Sequence, residues 1–130
     1  MKQNRVNIFL FVILLLSLVS CESKKMKSLK VDVSAYNSVR YQTDSKPTLT
    51  YWEDTLKPGI KAIAISHDLL DSGLTHGTEV EIEGLKGTYI VRDLMDDRWK
   101  TKIDIYMGKN IDSALTWDTK ELTIKWEEKK

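Results

Sequence analysis

Four aspartates in the second half of the chain are the residues best suited to acid–base chemistry. They are Asp93, Asp96, Asp97 and Asp104, all within twelve residues. Two carboxyl groups that lie close together cannot both ionise freely, so one of them has a raised pKa and can donate a proton near neutral pH. Such a carboxyl group is the usual acid in the cleavage of a glycosidic bond. Spacing alone favours a simpler interpretation, in which these acids face solvent on a strand and in a turn.

Two histidines suggest a second kind of chemistry, the binding of a metal ion. His67 with its neighbour Asp68, and His76 further along, could join an aspartate around zinc. The chain has no His-x-x-x-His pair and a single cysteine. The sequence therefore predicts no metal site and no cofactor.

Tryptophans suggest a third function, the stacking of sugar rings on an aromatic face. Trp52, Trp99 and Trp117 are the candidates, although tryptophans of this kind more often fill the core or its rim. Trp126, in the last predicted strand, is expected in the core.

The elements that must position these residues are short β-strands, indicated by alternation of apolar and polar residues with a period of two. Glycine-bearing turns separate them, which is typical of a small barrel or sandwich. Asp104 points away from the apolar face of its strand, whereas Asp93 ends its strand on the same side as Val91. If these two strands are neighbours, we expect the two aspartates to approach closely. The predicted strands are residues 29–35, 61–66, 79–83, 88–92, 103–107 and 121–126.

One short helix is predicted near the C terminus. Asn110 can cap its first turn, where Asp112 interacts favourably with the helix dipole. Earlier in the chain, residues 37–59 show no sustained period and contain Pro47 and Pro58. Long loops of this kind in compact domains are often functional.

The N terminus has the features of a bacterial lipoprotein signal. Lys2 and Arg5 precede an apolar core over residues 8–16, too short to span a bilayer, which needs about 20 residues. Small residues precede Cys21, the only cysteine, which can form no disulfide within the chain. The sequence predicts that residues 1–20 are removed and that a lipid on Cys21 attaches the protein to a membrane. An ordinary signal peptide, cleaved beside an unmodified cysteine, is the alternative.

The rest of the chain is expected to hold one domain. Removing residues 1–20 changes the formal net charge from +1 to −1, so a nucleic-acid partner is not expected. About 110 residues remain, enough for one small core. Residues 21–29 are predicted to be a lipid-anchored tether, and residues 30–127 a single domain, expected to be a monomer.

Four stretches resemble the three-aspartate (3D) domain, over about residues 33–126. The most specific feature is the spacing of Asp93 and Asp104, eleven residues apart, with Asp104 inside the motif Ile-Asp-Ile-Tyr. The 3D domain is a double-psi β-barrel found in membrane-bound lytic transglycosylase A and in stationary-phase muralytic proteins, and distantly in rare lipoprotein A. The resemblance implies a mainly β fold, a six-stranded double-psi β-barrel with one or two short helices. The four stretches are residues 63–70, 77–84, 87–93 and 102–108.

The resemblance implies cleavage of peptidoglycan glycan strands in the periplasm, from a lipid anchor expected in the outer membrane. In lytic members one aspartate protonates the glycosidic oxygen. The same group then acts as base while the muramic acid's own hydroxyl attacks, with no metal. Carried over to this chain, Asp104 is the acid/base and Asp93 holds and tunes it.

The remaining site residues follow from the same resemblance. The family's first aspartate falls best on Ser66, so either this part of the site is lost or Asp68, two residues later, is its catalytic substitute. Ser66, Trp99 and Tyr106 are expected to bind substrate. Residues 94–99 lack the glycines usual in lytic members, and the chain has no room for a second groove-forming domain.

Two alternative functions stay open. A non-catalytic binder of glycan strands would keep the barrel with its carboxylates held apart or paired with Arg92 or Arg98. A structural or protein-interaction lipoprotein of the envelope would have an exposed apolar patch and no groove.

Overall fold

The computed structural model describes residues 23–37, 49–108 and 110–129. In these residues the chain forms six β-strands, one 3₁₀ helix and one α-helix. The predicted signal segment, residues 1–20, and Cys21 lie outside the described residues. The elements are β1 (Met26–Tyr36), β2 (Ala62–Ile65), the 3₁₀ helix (His67–Leu70), β3 (Glu79–Ile82), β4 (Thr88–Leu94), β5 (Lys102–Tyr106), α1 (Ile111–Thr116) and β6 (Lys120–Glu127).

The six strands close into a barrel in the order β1-β5-β2-β4-β3-β6. The pairs β1–β5 and β2–β4 are parallel, and the other four pairs are antiparallel. Closure leaves no unpaired sheet edge among these strands. The prediction of a mainly β, six-stranded barrel with short helices is confirmed, and the strand order is compatible with a double-psi barrel.

The core lies inside the barrel and is built by the predicted alternation. Ile103 and Ile105 on β5 are almost fully buried, while Asp104 between them faces the other way. β2 is buried at all four positions, as expected for a central strand. Trp126 on β6 is buried in the same core, which confirms its predicted position.

A β-bulge in β4 changes the predicted orientation of Asp93. Ile63 on β2 pairs with Val91, but the next residue, Ala64, pairs with Asp93, so Arg92 is an extra residue on β4. Because successive side chains alternate between faces, one extra residue moves Asp93 from the face of Val91 to the opposite face. The prediction that Asp93 and Val91 share a side was wrong, since simple alternation does not anticipate a bulge.

The first strand starts earlier in the chain than the alternation predicts. β1 begins at Met26, inside the segment 21–29 that was predicted to be a tether, and pairs with β6 from its first residue.

Asn110 caps α1 as predicted, because its side-chain oxygen accepts a hydrogen bond from the backbone N–H of Ser113 at 2.9 Å. Within the described part of the chain, no helix has the length and apolar character needed to cross a membrane.

Candidate active site

A row of four residues crosses four adjacent strands on the outside of the barrel. Ser34 on β1 is in register with Asp104 on β5, which is in register with Ala64 on β2. Ala64 is also in register with Asp93 on β4. β2 therefore lies between β4 and β5, which are not neighbours. The predicted close approach of the two aspartates depended on neighbouring strands. Adjacent strands lie about 4.8 Å apart, so the backbones of Asp93 and Asp104 are roughly 10 Å apart, with the small Ala64 between them.

Both aspartates face one open cleft of about 180 Å³. A larger groove, of about 500 Å³, lies on the outside of β3 and β6 and holds neither aspartate. We take the smaller cleft as the candidate site because it joins the carboxyl groups to an aromatic side chain. Its lining includes Tyr36, Ala64, Asp93, Asp96, Trp99 and Asp104.

Asp104 has the properties of a proton donor. Burial raises the pKa of its carboxyl group above the ordinary value; the positive charge of Lys102 opposes this rise, and the negative charge of Asp93 adds to it. The hydroxyl of Ser34 donates a hydrogen bond to Oδ1 of Asp104 and orients the group. Burial is thus the main cause, and the paired-acid effect expected from the sequence is a smaller contribution.

Asp93 is engaged differently, because its carboxylate holds a neighbouring segment of the chain. Oδ1 accepts hydrogen bonds from the backbone N–H of Tyr51 at 2.8 Å and from that of Leu94 at 2.9 Å. The first of these bonds ties residues 49–55 to the end of β4. Asp93 therefore has a positioning contact of its own, besides its charge interaction with Asp104.

Asp68, the third predicted catalytic residue, does not line the cleft. Its two oxygens accept hydrogen bonds from the backbone N–H of Thr101 at 2.9 and 3.1 Å, and one also accepts from the Thr101 hydroxyl. Burial raises the pKa of Asp68, but hydrogen bonds from Ser66 and Thr101 outweigh it, and the pKa is lowered overall. Thr101 has a left-handed φ of 47°, so Asp68 stabilises an unfavourable turn just before β5.

Two of the three predicted substrate-binding residues are buried. Ser66 is fully buried, and its hydroxyl accepts a hydrogen bond from the backbone N–H of Lys102 at 3.0 Å. Tyr106 is only 4% exposed and packs with Leu56 and Ala62 in a separate cluster. The structure therefore places both side chains where they support β5 and not where a ligand would contact them.

Trp99 is the predicted substrate-binding residue that does reach the cleft. Its side chain is 37% exposed. Lys102 Nζ lies 3.7 Å from the ring centroid, and the guanidinium carbon of Arg98 lies 5.1 Å from it. Both cations lie within cation–π distance of the ring and hold it in place, and Trp99 lines the cleft together with Asp104.

Sequence reasoning missed Ser34, Tyr36 and Ala64 as site residues. Ser34 and Tyr36 share a face of β1 by alternation, but only the pairing of β1 with β5 places them beside Asp104. The Tyr36 hydroxyl is buried and has no hydrogen-bond partner among the residues that the structure describes. Burial, reinforced by the charges of Asp93 and Asp104, raises the pKa of Tyr36 well above its ordinary value, so the hydroxyl stays protonated.

We expect the substitution Tyr36→Phe to leave the fold as stable as the native chain or to stabilise it by up to about 1 kcal/mol. The reason is that a buried hydroxyl without a partner costs its desolvation free energy and gains no hydrogen bond. Urea unfolding of the full chain in detergent measures the change. A loss of more than about 1 kcal/mol would show that the hydroxyl has a stabilising partner.

The histidines and the other tryptophans have structural contacts. The Nε2 atom of His67 lies 2.9 Å from Oδ1 of Asp97, and His76 contacts Asp54. Trp117 donates a hydrogen bond to the backbone oxygen of Val33 at 3.1 Å. Among the described residues, no group of three or more histidine, cysteine or acidic side chains could hold a metal ion.

Comparison with known proteins adds no relative to this picture. No protein-family model matches the chain, and no curated protein matches it. The function must therefore be argued from the cleft and from the motifs that it contains.

Proposed function

We propose that this protein is a peptidoglycan-cleaving glycosidase of the lytic transglycosylase type, with Asp104 as its single acid/base. The observation that carries the proposal is the placement of Asp104, whose part-buried carboxyl group is oriented by Ser34 and lines an open cleft beside Trp99. The closed barrel and the Ile-Asp-Ile-Tyr motif on β5 support a relation to the 3D domain and a double-psi topology.

The proposed reaction uses one carboxyl group twice. Protonated Asp104 gives its proton to the glycosidic oxygen while the bond between that oxygen and the muramic acid carbon breaks. The resulting carboxylate then removes a proton from the muramic acid's own hydroxyl, whose oxygen bonds to the same carbon and closes an anhydro ring. Asp104 is protonated again at the end, and no water is consumed. The Ser34 hydroxyl stabilises the ionised form between the two steps.

Lipidation of Cys21 would place this activity at the cell envelope, facing the periplasm. Since β1 begins at Met26, about five residues separate the barrel from the lipid, and they span at most roughly 20 Å. We propose that this short connection keeps the cleft next to the glycan strands closest to its membrane, which we expect to be the outer membrane.

Non-catalytic glycan binding is the second candidate function, and two observations favour it. The carboxylate of Asp93 is already bonded to the Tyr51 and Leu94 backbones, and a large Trp99 stands where lytic 3D-domain proteins usually have glycine. A barrel of this kind could retain a glycan strand without cleaving it.

Incubation of the full chain, in mild detergent, with purified sacculi distinguishes these functions. The proposal predicts anhydro-muropeptides among the soluble products, identified by mass spectrometry. Products with reducing ends would indicate hydrolysis and overturn the transglycosylase assignment. Co-sedimentation with sacculi without soluble products would support the binding function. If the chain neither releases products nor co-sediments, the peptidoglycan proposal has no support.

A further inference from the structure

A second aromatic surface lies beside the cleft and includes Trp52, one of the tryptophans that the sequence suggested for sugar stacking. We call Tyr51, Trp52 and His67 the aromatic ridge. Tyr51 meets the ring of Trp52 edge to face at 5.6 Å and the ring of His67 at 6.4 Å. Despite these contacts the Tyr51 side chain is 65% exposed. The ridge therefore holds one aromatic ring in place and leaves most of it open to solvent.

The backbone under the ridge is fixed by several independent contacts. Leu49 and Thr55 form an isolated antiparallel bridge, and Thr50 and Asp54 exchange hydrogen bonds between them at 3.0 Å. Asp54 also contacts His76 and lies 3.7 Å from Arg92. A ring on such a scaffold loses little conformational freedom when it binds a ligand, which favours affinity.

The carboxylate of Asp93 connects the ridge to the cleft. It accepts a hydrogen bond from the backbone N–H of Tyr51 at 2.8 Å, and it lines the cleft together with Asp104 and Trp99. The Nζ atom of Lys102, on β5, lies over the Trp99 ring. Tyr51 is instead held to β4 through Asp93, and β2 lies between β4 and β5. Two exposed aromatic rings thus lie near the aspartates, one held to β4 through Asp93 and the other beside Lys102 of β5.

Exposed aromatic rings with carboxylates nearby are able to bind a chain of sugars. The C–H face of a pyranose ring packs on an aromatic ring, and its hydroxyls bond to neighbouring carboxylates. Asp97, which is bonded to His67 of the ridge, adds an exposed carboxylate on the ridge side. Two consecutive sugars of one strand offer one such face to each of Trp99 and Tyr51.

We propose that Tyr51 forms a second sugar-binding position, on the β4 side of the cleft, and that Asp93 is the positioning residue that holds it there. The inference rests on the proposed function in that it takes a glycan strand as the ligand. It assigns to Asp93 a role separate from the tuning of Asp104. It also predicts that the cleft binds at least two consecutive sugars, one on each aromatic ring.

The test measures binding without cleavage, in full chains that all carry Asp104→Asn. The probe is a peptide-free, four-sugar glycan fragment prepared from sacculi, titrated calorimetrically. Tyr51→Ala should weaken binding about tenfold through loss of the stacking surface, and Tyr51→Phe, which keeps the ring, should stay within about twofold. Leu115→Ala is the matched control, because Leu115 is 68% exposed on α1 and should leave the affinity unchanged.

A double-variant comparison tests the role of Asp93. If Asp93 acts by holding Tyr51, Asp93→Ala should weaken binding about as much as Tyr51→Ala, and the two changes together should weaken it little further. Additive losses would show that Asp93 contacts the sugar itself and would overturn the positioning role. Thermal unfolding of each variant verifies that the barrel is intact.

Failure of this inference can be told apart from failure of the proposed function. Normal cleavage by the native chain, with unchanged affinity in Tyr51→Ala, would overturn the ridge as a sugar site. No anhydro-muropeptides, with weakened binding in Tyr51→Ala, would overturn the chemistry and support the ridge. Absence of fragment binding by every chain would overturn the ridge as well.

Discussion

Replacement of Asp104 by asparagine should lower the release of anhydro-muropeptides from sacculi by about 10²–10⁴-fold. This is the usual contribution of a general acid or base, and Asp104 is proposed to serve as both. Asparagine has nearly the same shape and can still accept the hydrogen bond from Ser34, but it has no proton to give. Initial rates of product release by native and Asp104→Asn full chains, at equal sacculus concentration, measure the effect.

Two controls make this result specific. Asp71→Asn, at an exposed aspartate outside the cleft, should leave the rate unchanged. Because the pKa of Asp104 is raised in the folded chain, its stabilising contribution is present at low pH and is lost as the pH rises through the folded-state pKa. At neutral pH the Asp104→Asn variant should therefore unfold at the same temperature as the native chain, or a few degrees higher. Equal rates in native and Asp104→Asn chains would exclude Asp104 as the catalytic group.

The largest effect on stability is expected from Ile63→Ala. Ile63 is fully buried on β2, in register with Ile105 on β5 and Val91 on β4. Its removal leaves a cavity between the two strands that carry the aspartates, which should lower the free energy of unfolding by about 2–5 kcal/mol. Small domains have only about 5–15 kcal/mol in total, so much of the stability would be lost.

Chemical denaturation of the full chain measures this loss. Leu115→Ala is the surface control and should change the free energy of unfolding by less than about 0.5 kcal/mol. A loss below about 1 kcal/mol for Ile63→Ala would show that the β2 region is not the tightly packed centre described here.

Alternation of apolar and polar residues predicted most strands because these strands pack one face on the barrel core, whereas β2 is buried at all four positions. β5 shows this most clearly, since burial of Ile103 and Ile105 turns Asp104 outward. The same rule failed at Asp93, where an extra residue in β4 reverses the alternation. A bulge depends on how two strands pair, and pairing between distant segments leaves no mark on local periodicity.

The site was only partly predictable, because some of its contacts join residues that are far apart in the chain. Asp104 and Trp99 were identified from motif and residue type, and the structure places both at the cleft. Ser34 and Tyr51 were missed because they lie 70 and 42 residues from the aspartates that they bond. Ser66 and Tyr106 were expected at the cleft from the resemblance to the 3D domain, yet both side chains are buried.

The proposed reaction requires Asp104 to keep its proton at a pH where an ordinary aspartate is ionised. Titration of the ¹³C carboxyl resonances in aspartate-labelled full chain, with Asp104→Asn used for assignment, measures this property directly. The structure predicts a pKa for Asp104 above the ordinary value of 3.8, raised mainly by burial. A pKa at or below that value would contradict the assignment of Asp104 as the acid.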